Sequence, residues 1–150
     1  TLAYNGFRAQ FFRGQLIAAL QIVSQGHIGL HAMKGSWAGA MGQCQFIPTS
    51  FQAYAADGDG DGRMDIWTNK ADVFASITNH LKRVGWKPGI GWGQEVSAGA
   101  VAGQGQKIVR PAGPNGPTFV TTENFRATLR WNQSDFFALA VGLLADKIAA

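Results

Sequence analysis

Residues 34–48 read KGSWAGAMGQCQFIP, and residues 57–62, shortly after them, read DGDGDG. The first stretch is rich in glycine, alanine and serine and contains no acidic residue, so its backbone can approach another backbone or a ligand closely. Two amide side chains, Gln43 and Gln45, lie among aromatic and long apolar residues. Amides beside apolar and aromatic side chains favour a neutral sugar over a phosphate or a metal as the ligand of this stretch.

The acidic stretch continues to residue 65 as DGDGDGRMD, which places carboxylates at loop positions 1, 3, 5 and 9 and a glycine at position 6. This is the spacing of an EF-hand loop, which surrounds Ca²⁺ with hard oxygen ligands. Position 12 is Thr68, where such loops carry a glutamate. The alternative is a solvated acidic turn, in which neighbouring carboxylates would repel one another. The predicted ligands, with Arg63 contributing its carbonyl, are Asp57, Asp59, Asp61, Arg63 and Asp65.

The overall composition predicts one globular domain. The 150 residues are 46% hydrophobic and 15% charged, which is enough to bury a core. The net charge is +4, but lysine and arginine are scattered in runs of at most two, unlike the clustered charge of a nucleic-acid-binding surface. Cys44 is the only cysteine, so no disulfide forms within the chain, and a small buried residue is expected there. No apolar run approaches the roughly 18 residues needed to cross a bilayer.

Helical periodicity predicts five helices, at residues 9–25, 48–56, 71–84, 124–130 and 135–148. Gly26 and Gly85 are expected to end the first and third helices, and Ser134 is expected to cap the last one. Thr121 or Thr122 is expected to cap the fourth. The inward residues of the third helix are predicted to be Val73, Ile77, Leu81 and Val84, and the apolar set of the last helix is Phe137, Leu139, Ala140, Leu143, Leu144 and Ile148.

Residues 86–122 change character and are rich in glycine, proline, valine and threonine. Short strands are predicted at 95–101, 107–109 and 118–121, around turns of the Pro-Asn-Gly type. A flexible linker is the alternative. We favour an ordered segment, because four apolar residues in it, Ile108, Val109, Phe119 and Val120, give it something to bury.

In this order the segments resemble the lytic murein transglycosylase B family, bacterial enzymes that cleave the glycan strands of peptidoglycan. Further matching segments are residues 1–4, 8–19, 51–55, 65–67, 72–81, 85–86 and 131–142, whereas residues 96–118 match only loosely. The resemblance implies a mainly α (α+β) fold. It would be a lysozyme-like helical domain with an EF-hand-type loop and a small β excursion around residues 90–122, all within a single domain of residues 1–150.

The resemblance also implies a set of residues that bind the saccharide. Trp131, His80 and Phe137 stand where the family carries tyrosines, so phenol hydroxyls are replaced there. A purely structural role is the alternative for each residue, most evenly balanced for Ser36 and His80. By the same resemblance, Asp72 closes the acidic loop around a structural Ca²⁺. The implied substrate-binding residues are Arg8, Ser36, Gln45, His80, Trp131, Asn132 and Phe137.

The implied reaction is a lytic transglycosylation. One glutamate protonates the oxygen between N-acetylmuramic acid and N-acetylglucosamine, and it then takes the proton of the muramic C6 hydroxyl as that hydroxyl closes a 1,6-anhydro ring. The family's glutamate precedes the segment that matches Thr1, and neither Glu95 nor Glu123 lies in its motif. We therefore expect an N-terminally truncated domain that carries the substrate groove, lacks the catalytic acid and is inactive alone.

The expected partners are peptidoglycan strands, whose lactyl and peptide carboxylates suit a mildly basic protein. Nucleic acid and a membrane span are not expected, a monomer is, and the implied location is the periplasm or cell envelope of a bacterium. The alternative function is a calcium-dependent glycan-binding module without catalysis. A calcium sensor is disfavoured, because EF-hand sensors pair two loops and this sequence has one.

Overall fold

The computed structural model describes residues 2–4, 6 and 8–150. Its elements are α1 (Ala9–Ser24), α2 (Pro48–Tyr54), α3 (Lys70–Arg83), β1 (Gly93–Val96), β2 (Lys107–Val109), β3 (Thr118–Thr121), α4 (Glu123–Trp131) and α5 (Asp135–Ala149). The mainly helical fold with a small β excursion is thereby confirmed. The chain divides into two compact units, Thr1–His80 and Leu81–Ala150. The expectation of a single domain stays a prediction.

The first unit is built on α1, which ends in a glycine turn as expected. Gly26 has a φ of 81°, and its N–H donates to the carbonyl of Val23, while the next N–H, of His27, donates to Ile22. These two bonds satisfy the last carbonyls of the helix. The buried residues of α1 are Gln15, Ala18 and Ile22, whereas Leu16 and Leu20 of the apolar pattern are more than half exposed.

Gln15 is buried because it joins α1 to α2. Its amide nitrogen donates to Thr49 Oγ1 at 3.0 Å, and its amide oxygen accepts the Thr49 backbone N–H at 3.0 Å. That N–H is one of the unpaired donors in the first turn of α2, which begins at Pro48. One polar side chain of α1 therefore satisfies the N-terminus of α2.

The inner face of α3 differs from the predicted one. Its buried residues are Asp72, Val73, Ser76 and His80, so of the four predicted inward residues only Val73 is fully buried. The buried side of α3 is polar because it forms hydrogen bonds with the preceding segment. Ser76 Oγ accepts the N–H of Ala56 at 3.0 Å, and Asp72 binds the backbone of the acidic loop. The helix presents this polar side to the loop that precedes it.

The second unit contains a three-stranded antiparallel sheet in the order β1-β3-β2. Residues 86–122 are therefore ordered around strands, and β2 and β3 lie at the predicted positions. The predicted strand at 95–101 is wrong in extent, because β1 begins at Gly93 and ends at Val96. Gly93 has a φ of 150°, and a Cβ there would lie 2.3 Å from the Val120 carbonyl oxygen, so only glycine allows this close pairing.

The core of the second unit is formed by the sheet and the last two helices. Thr122 caps α4 by accepting the Asn124 N–H, and Ser134 caps α5 by accepting the Phe137 N–H. The predicted apolar set of α5 is only partly buried, since Leu144 and Ile148 are exposed. The core cluster consists of Trp92, Phe119, Phe125, Ala138 and Leu139. Among the described residues, no helix combines the length and apolar character that a bilayer span requires.

Candidate saccharide and metal sites

The glycine-rich segment folds into two tight, connected turns. The Ser36 N–H donates to the Ala40 carbonyl at 2.7 Å, and the Ala40 N–H donates to Ser36 Oγ at 3.1 Å. Met41 then exchanges backbone hydrogen bonds with Phe46, at 2.8 and 3.1 Å. A Cβ on Gly35 would lie 2.7 Å from the Ala40 carbonyl oxygen, so the first turn requires glycine. The segment is thus held by its own backbone.

Two predicted saccharide-binding residues, Ser36 and Gln45, lie on these turns and are exposed. Gln45 has a φ of 51°, the left-handed region that side chains rarely adopt, and its amide nitrogen donates to the Gly42 carbonyl at 2.8 Å. Ser36 lines a cavity of about 210 Å³ beside the start of α1, together with the exposed Trp37. Gln45 does not line that cavity.

His80, another predicted saccharide-binding residue, lies in an aromatic group at the end of the first unit. Its ring centroid is 4.4 Å from that of Tyr54, at an edge-on angle of 84°, and 5.8 Å from that of Phe46. Only 5% of His80 is exposed, and burial lowers the pKa of its imidazole. The ring is therefore neutral near pH 7 and packs as part of the core.

Arg8 precedes the first turn of α1 and is exposed. Its guanidinium carbon lies 4.4 Å from the centre of the Phe11 ring, a cation–π contact. The nearby segment 1–4 was also matched to the family in the sequence analysis. Its first residue, Thr1, lies outside the described residues. The structure thus gives Arg8 a packing partner within its own helix.

The remaining three predicted residues belong to the second unit, around the junction of α4 and α5. Asn132 is the exposed C-terminal cap of α4, and its Oδ1 accepts the Ser134 N–H at 3.1 Å. Trp131, before it, and Phe137, on the first turn of α5, are partly exposed. The Asn132 amide nitrogen forms no hydrogen bond with the described residues, so it is available to a ligand.

The acidic loop brings three of its predicted ligands together. One carboxylate oxygen from each of Asp57, Asp59 and Asp61 lies within 4.8 Å of the others, and all three residues are exposed. Asp57 accepts the N–H groups of Gly60 and Gly62, at 2.6 and 2.8 Å. These hydrogen bonds, the one from Gly62 foremost, lower the pKa of Asp57, so its carboxylate is charged near neutral pH.

Asp72 lies outside that group of three and braces the loop instead. It is fully buried, with one oxygen accepting the Gly58 N–H at 2.7 Å and the other the Asp65 N–H at 2.6 Å. A Cβ on Gly58 would lie 2.4 Å from the Ala71 carbonyl oxygen, so the loop lies directly on the start of α3. One buried carboxylate therefore fixes both ends of the loop to the helix.

Asp65 also lies outside the group of three. Burial raises the pKa of this carboxyl, but hydrogen bonds from the side chain and backbone of Thr68 and from the Trp67 N–H outweigh it, and the net pKa is lowered. Asp65 therefore remains charged while it shapes the turn into α3. Its role as a metal ligand, like that of Asp72 and of the Arg63 carbonyl, stays a prediction.

Two residues support the loop without having been predicted to do so. Asn69 donates from its amide to Asp59 Oδ2 at 2.7 Å. The Nδ1 of His27 accepts the Met64 N–H at 3.2 Å, and the His27 carbonyl accepts from the Arg63 guanidinium at 3.4 Å. His27 is distant in sequence, so no local pattern points to it. Asn69 lies ten residues after Asp59. Its role can be predicted only when it is known that the loop packs against the start of α3.

The two glutamates do not have the environment of a general acid. Glu123 forms ion pairs with Lys87 and Arg126. The hydrogen bond from Lys87 is the main cause that lowers the pKa of its carboxyl, whereas a general acid needs a raised pKa. Glu95 is exposed on β1. Cys44 is buried as expected, and burial raises the pKa of its thiol to about 11, so it is no nucleophile at neutral pH.

Comparisons with known proteins agree with the sequence resemblance. Residues 1–104 and 99–146 match the family described as the transglycosylase SLT domain. The membrane-bound lytic murein transglycosylase B of Escherichia coli is 29% identical over 178 aligned positions, which cover 99% of this chain and 49% of that protein. The chain therefore spans about half the length of the curated relative it matches.

Solved structures show the same similarity. SltB3 of Pseudomonas aeruginosa, in complex with NAG-NAM-pentapeptide, is 41% identical with a TM-score of 0.91, over 100% of this chain and 49% of that one. Slt35 of Escherichia coli, in complex with calcium, is 28% identical with a TM-score of 0.78, over 99% of this chain and 57% of that one. The chain is accordingly a member of the transglycosylase SLT domain family.

Proposed function

We propose that this chain provides the substrate-binding part of a peptidoglycan lytic transglycosylase, which cleaves the bond between N-acetylmuramic acid and N-acetylglucosamine and leaves a 1,6-anhydro ring. The observation that carries the proposal is the family match, which extends over residues 1–146 and so over both compact units. A complex of the relative SltB3 with NAG-anhNAM-pentapeptide adds support. A calcium-dependent glycan-binding module without catalysis is not favoured, because the family is one of enzymes.

In this proposal each of the two units offers the glycan an exposed amide on a locally fixed turn. Gln45 in the first unit and Asn132 in the second are both exposed and fixed by a local hydrogen bond. Rigid donors lose little conformational entropy on binding, which favours weakly held neutral ligands such as sugars. Ser36, Trp131 and Phe137 add a hydroxyl and ring faces, while the burial of His80 favours a supporting role for that residue.

The general acid of the reaction is, in this proposal, a glutamate outside these 150 residues. The ion pair with Lys87 lowers the pKa of Glu123, whereas a general acid needs a raised pKa, and Glu95 is exposed on β1. The chain alone would then bind the glycan without cleaving it. The envelope of a bacterium is the matching location, since the Escherichia coli relative is named as membrane-bound, and a monomer is the simplest form.

We further propose that the acidic loop holds one structural Ca²⁺. The clustered carboxylates of Asp57, Asp59 and Asp61 fit a hard cation, and the calcium complex of the relative Slt35 supports the choice of metal. Asp72 would act through the loop backbone, by holding Gly58 and Asp65. The ion would neutralise three close carboxylates and thereby stabilise the turn between α2 and α3.

Glycan binding is tested by chemical-shift mapping with a soluble, peptide-free oligomer of the disaccharide. Gln45→Gly removes the amide yet keeps a residue that tolerates positive φ, and Asn132→Asp keeps the oxygen that accepts the Ser134 N–H. We expect each variant to weaken binding about 5- to 30-fold, the effect of losing one buried hydrogen bond to a ligand. Gln94→Gly and Asn115→Asp, on exposed positions, are the controls. Shifts confined to residues 96–118 would contradict the placement.

The absence of catalysis is tested by mass spectrometry of peptidoglycan digests. We expect no 1,6-anhydro product above background from the 150-residue chain, because general acid catalysis contributes about 10²–10⁴-fold and neither glutamate lies in a pocket suited to it. In a longer, active form, Glu95→Gln and Glu123→Gln should leave the rate unchanged. Product formed by this chain and lost in either variant would identify that glutamate as the acid.

A further inference from the structure

The second unit contains a charged cleft that none of the predicted saccharide-binding residues lines. It has a volume of about 470 Å³ and lies between β2, α4 and the start of α5. Three cationic side chains line it, from Lys107, Arg126 and Arg130, against one carboxylate, from Asp135. The cleft is therefore electropositive, and two of its lining residues, Arg130 and Gln133, lie on either side of Asn132 in the sequence.

Two of these three cationic side chains, Lys107 and Arg130, have no hydrogen-bond or ion-pair partner among the described residues. Arg126 donates to the Gly105 carbonyl at 3.1 Å and pairs with Glu123, so it is part of the local structure. Within the described ranges, the Lys107 ammonium and the Arg130 guanidinium make no hydrogen bond or ion pair, and both residues are exposed. Arg126 and Arg130 are four residues apart on α4 and so face the same side. The cleft thus offers two cations to an anionic ligand.

The walls of the cleft indicate an extended ligand with apolar as well as charged groups. Its apolar lining comes from β2 (Ile108 and Val109) and from α4 (Phe125 and Leu129). Lys107 and Thr121, at the paired ends of β2 and β3, also line it. The cleft can therefore contact the apolar side chains of a peptide as well as its charged groups.

We propose that this cleft binds the peptide stem of the peptidoglycan strand, with stem carboxylates at Lys107 and Arg130. This inference rests on the proposed function, since it assigns a second part of the same substrate. The stem is attached to the muramic sugar through its lactyl group. If Asn132 binds the sugar, the stem must lie close to Asn132, and the cleft is adjacent to it in the sequence. The apolar lining favours a peptide over a nucleic acid, which would need a broad basic face.

The test uses calorimetry on the full 150-residue chain with three ligands: the peptide-free disaccharide oligomer, the same oligomer with its stems, and the free stem peptide. We expect the stem to strengthen binding about 2- to 30-fold, the range of two exposed charge pairs. The Lys107→Gln/Arg130→Gln double variant should lose this gain and bind the peptide-free oligomer as the wild type does. Lys82→Gln/Lys147→Gln, with the same change in net charge, should retain the gain.

Two further measurements identify the contact. A stem whose carboxylates are converted to amides should bind as weakly as no stem, and the gain should shrink as ionic strength rises. Shifts caused by the free stem peptide should map to β2 and to residues 126–133. Equal gains in both double variants, or equal binding of acid and amide stems, would overturn the proposal.

The outcome is separable from that of the proposed function. If the peptide-free oligomer fails to bind while the free stem peptide still shifts the cleft residues, the saccharide assignment fails and the peptide subsite stands. If the oligomer binds and the stem neither adds affinity nor shifts the cleft, the peptide subsite fails and the saccharide assignment stands.

Discussion

At the scale of single residues, the first unit depends on buried polar groups that bind the backbone of a neighbouring segment. Asp72, Ser76 and His80 occupy the inner side of α3, where apolar residues would be expected. Buried polar groups are costly when unpaired, but Asp72 and Ser76 each bind backbone N–H groups of the segment 56–65. These side chains therefore act as supports for the acidic loop.

Asp72→Asn tests this support. An amide can present one oxygen, so either the Gly58 or the Asp65 N–H loses its acceptor in a fully buried position. We expect the free energy of unfolding in metal-free buffer to fall by about 1–3 kcal/mol, the cost of a buried unpaired donor. Urea unfolding measures it, with the exposed Glu95→Gln as the control. An equal effect of both variants would mean that Asp72 is not a structural brace.

His80 should make stability depend on pH. Burial lowers the pKa of its imidazole below the usual 6.5. At a pH between the folded-state pKa and the unfolded-state pKa, the unfolded chain therefore binds a proton that the folded chain does not. Stability must then rise with pH, and it falls as pH drops below the unfolded pKa. We expect the drop in urea midpoint between about pH 7.5 and 5.5 to be smaller in His80→Phe than in the wild type. His31→Gln, at an exposed position, should behave as the wild type; an unchanged slope in His80→Phe would contradict the assignment.

At the scale of elements, α5 is fixed to the sheet through a glycine. A Cβ on Gly142 would lie 2.4 Å from the indole of Trp92, and that indole is held by its N–H bond to Asp146 at 2.8 Å. The helix therefore approaches the core closely at Gly142, which is why this face of α5 carries small residues such as Ala138.

Two glycine-to-alanine variants separate packing from helix propensity. Gly142→Ala should destabilise the chain by about 1–3 kcal/mol, because the Trp92 ring must move. Gly14→Ala, on α1, meets nothing within 4 Å and should stabilise by about 0.5–1 kcal/mol, because alanine loses less backbone entropy. Thermal or urea unfolding compares them. A stabilised Gly142→Ala would show that α5 does not approach Trp92 as described.

The elements also show what a sequence can and cannot predict. The helix ends at Gly26, Gly85 and Ser134 are as predicted, because caps and glycine turns are set by neighbouring residues. The clustering of Asp57, Asp59 and Asp61 could also be predicted, because the three residues lie within one short loop. The inner face of α3 was predicted wrongly because helical periodicity does not show that Asp72 and Ser76 bind the backbone of the preceding loop. His27 was missed because it is 37 residues from its partner Met64. The early start of the first strand depends on how closely Gly93 approaches β3, which only the fold reveals.

At the scale of the whole molecule, the two units are stabilised in different ways. The second has an apolar core in which three aromatic rings pack with Ala138 and Leu139 of α5. The first closes its acidic loop with hydrogen bonds to carboxylates that also repel one another. Electrostatic repulsion in the loop is relieved by a cation, so the stability of the first unit should depend on metal.

Calcium should therefore raise the stability of the chain and do so through the loop. A ligand that binds only the folded state stabilises it by about 2.7 kcal/mol at 100 times its Kd, so the melting temperature should rise with added Ca²⁺ and fall with chelator. Amide exchange should slow most at Gly60, Gly62 and Arg63, whose N–H groups bind the loop carboxylates.

The variant Asp61→Ala provides the decisive comparison, because it removes one of the three clustered oxygens and leaves the Asp72 brace intact. It should abolish the calcium-induced rise in melting temperature, while Asp135→Ala, an exposed acid of α5, should leave the rise unchanged. Mg²⁺ should be less effective, because it demands a smaller and more regular octahedral shell than this open loop offers. No heat of binding and no shift in melting for the wild-type chain would show that the loop is a solvated acidic turn, braced by Asp72 alone.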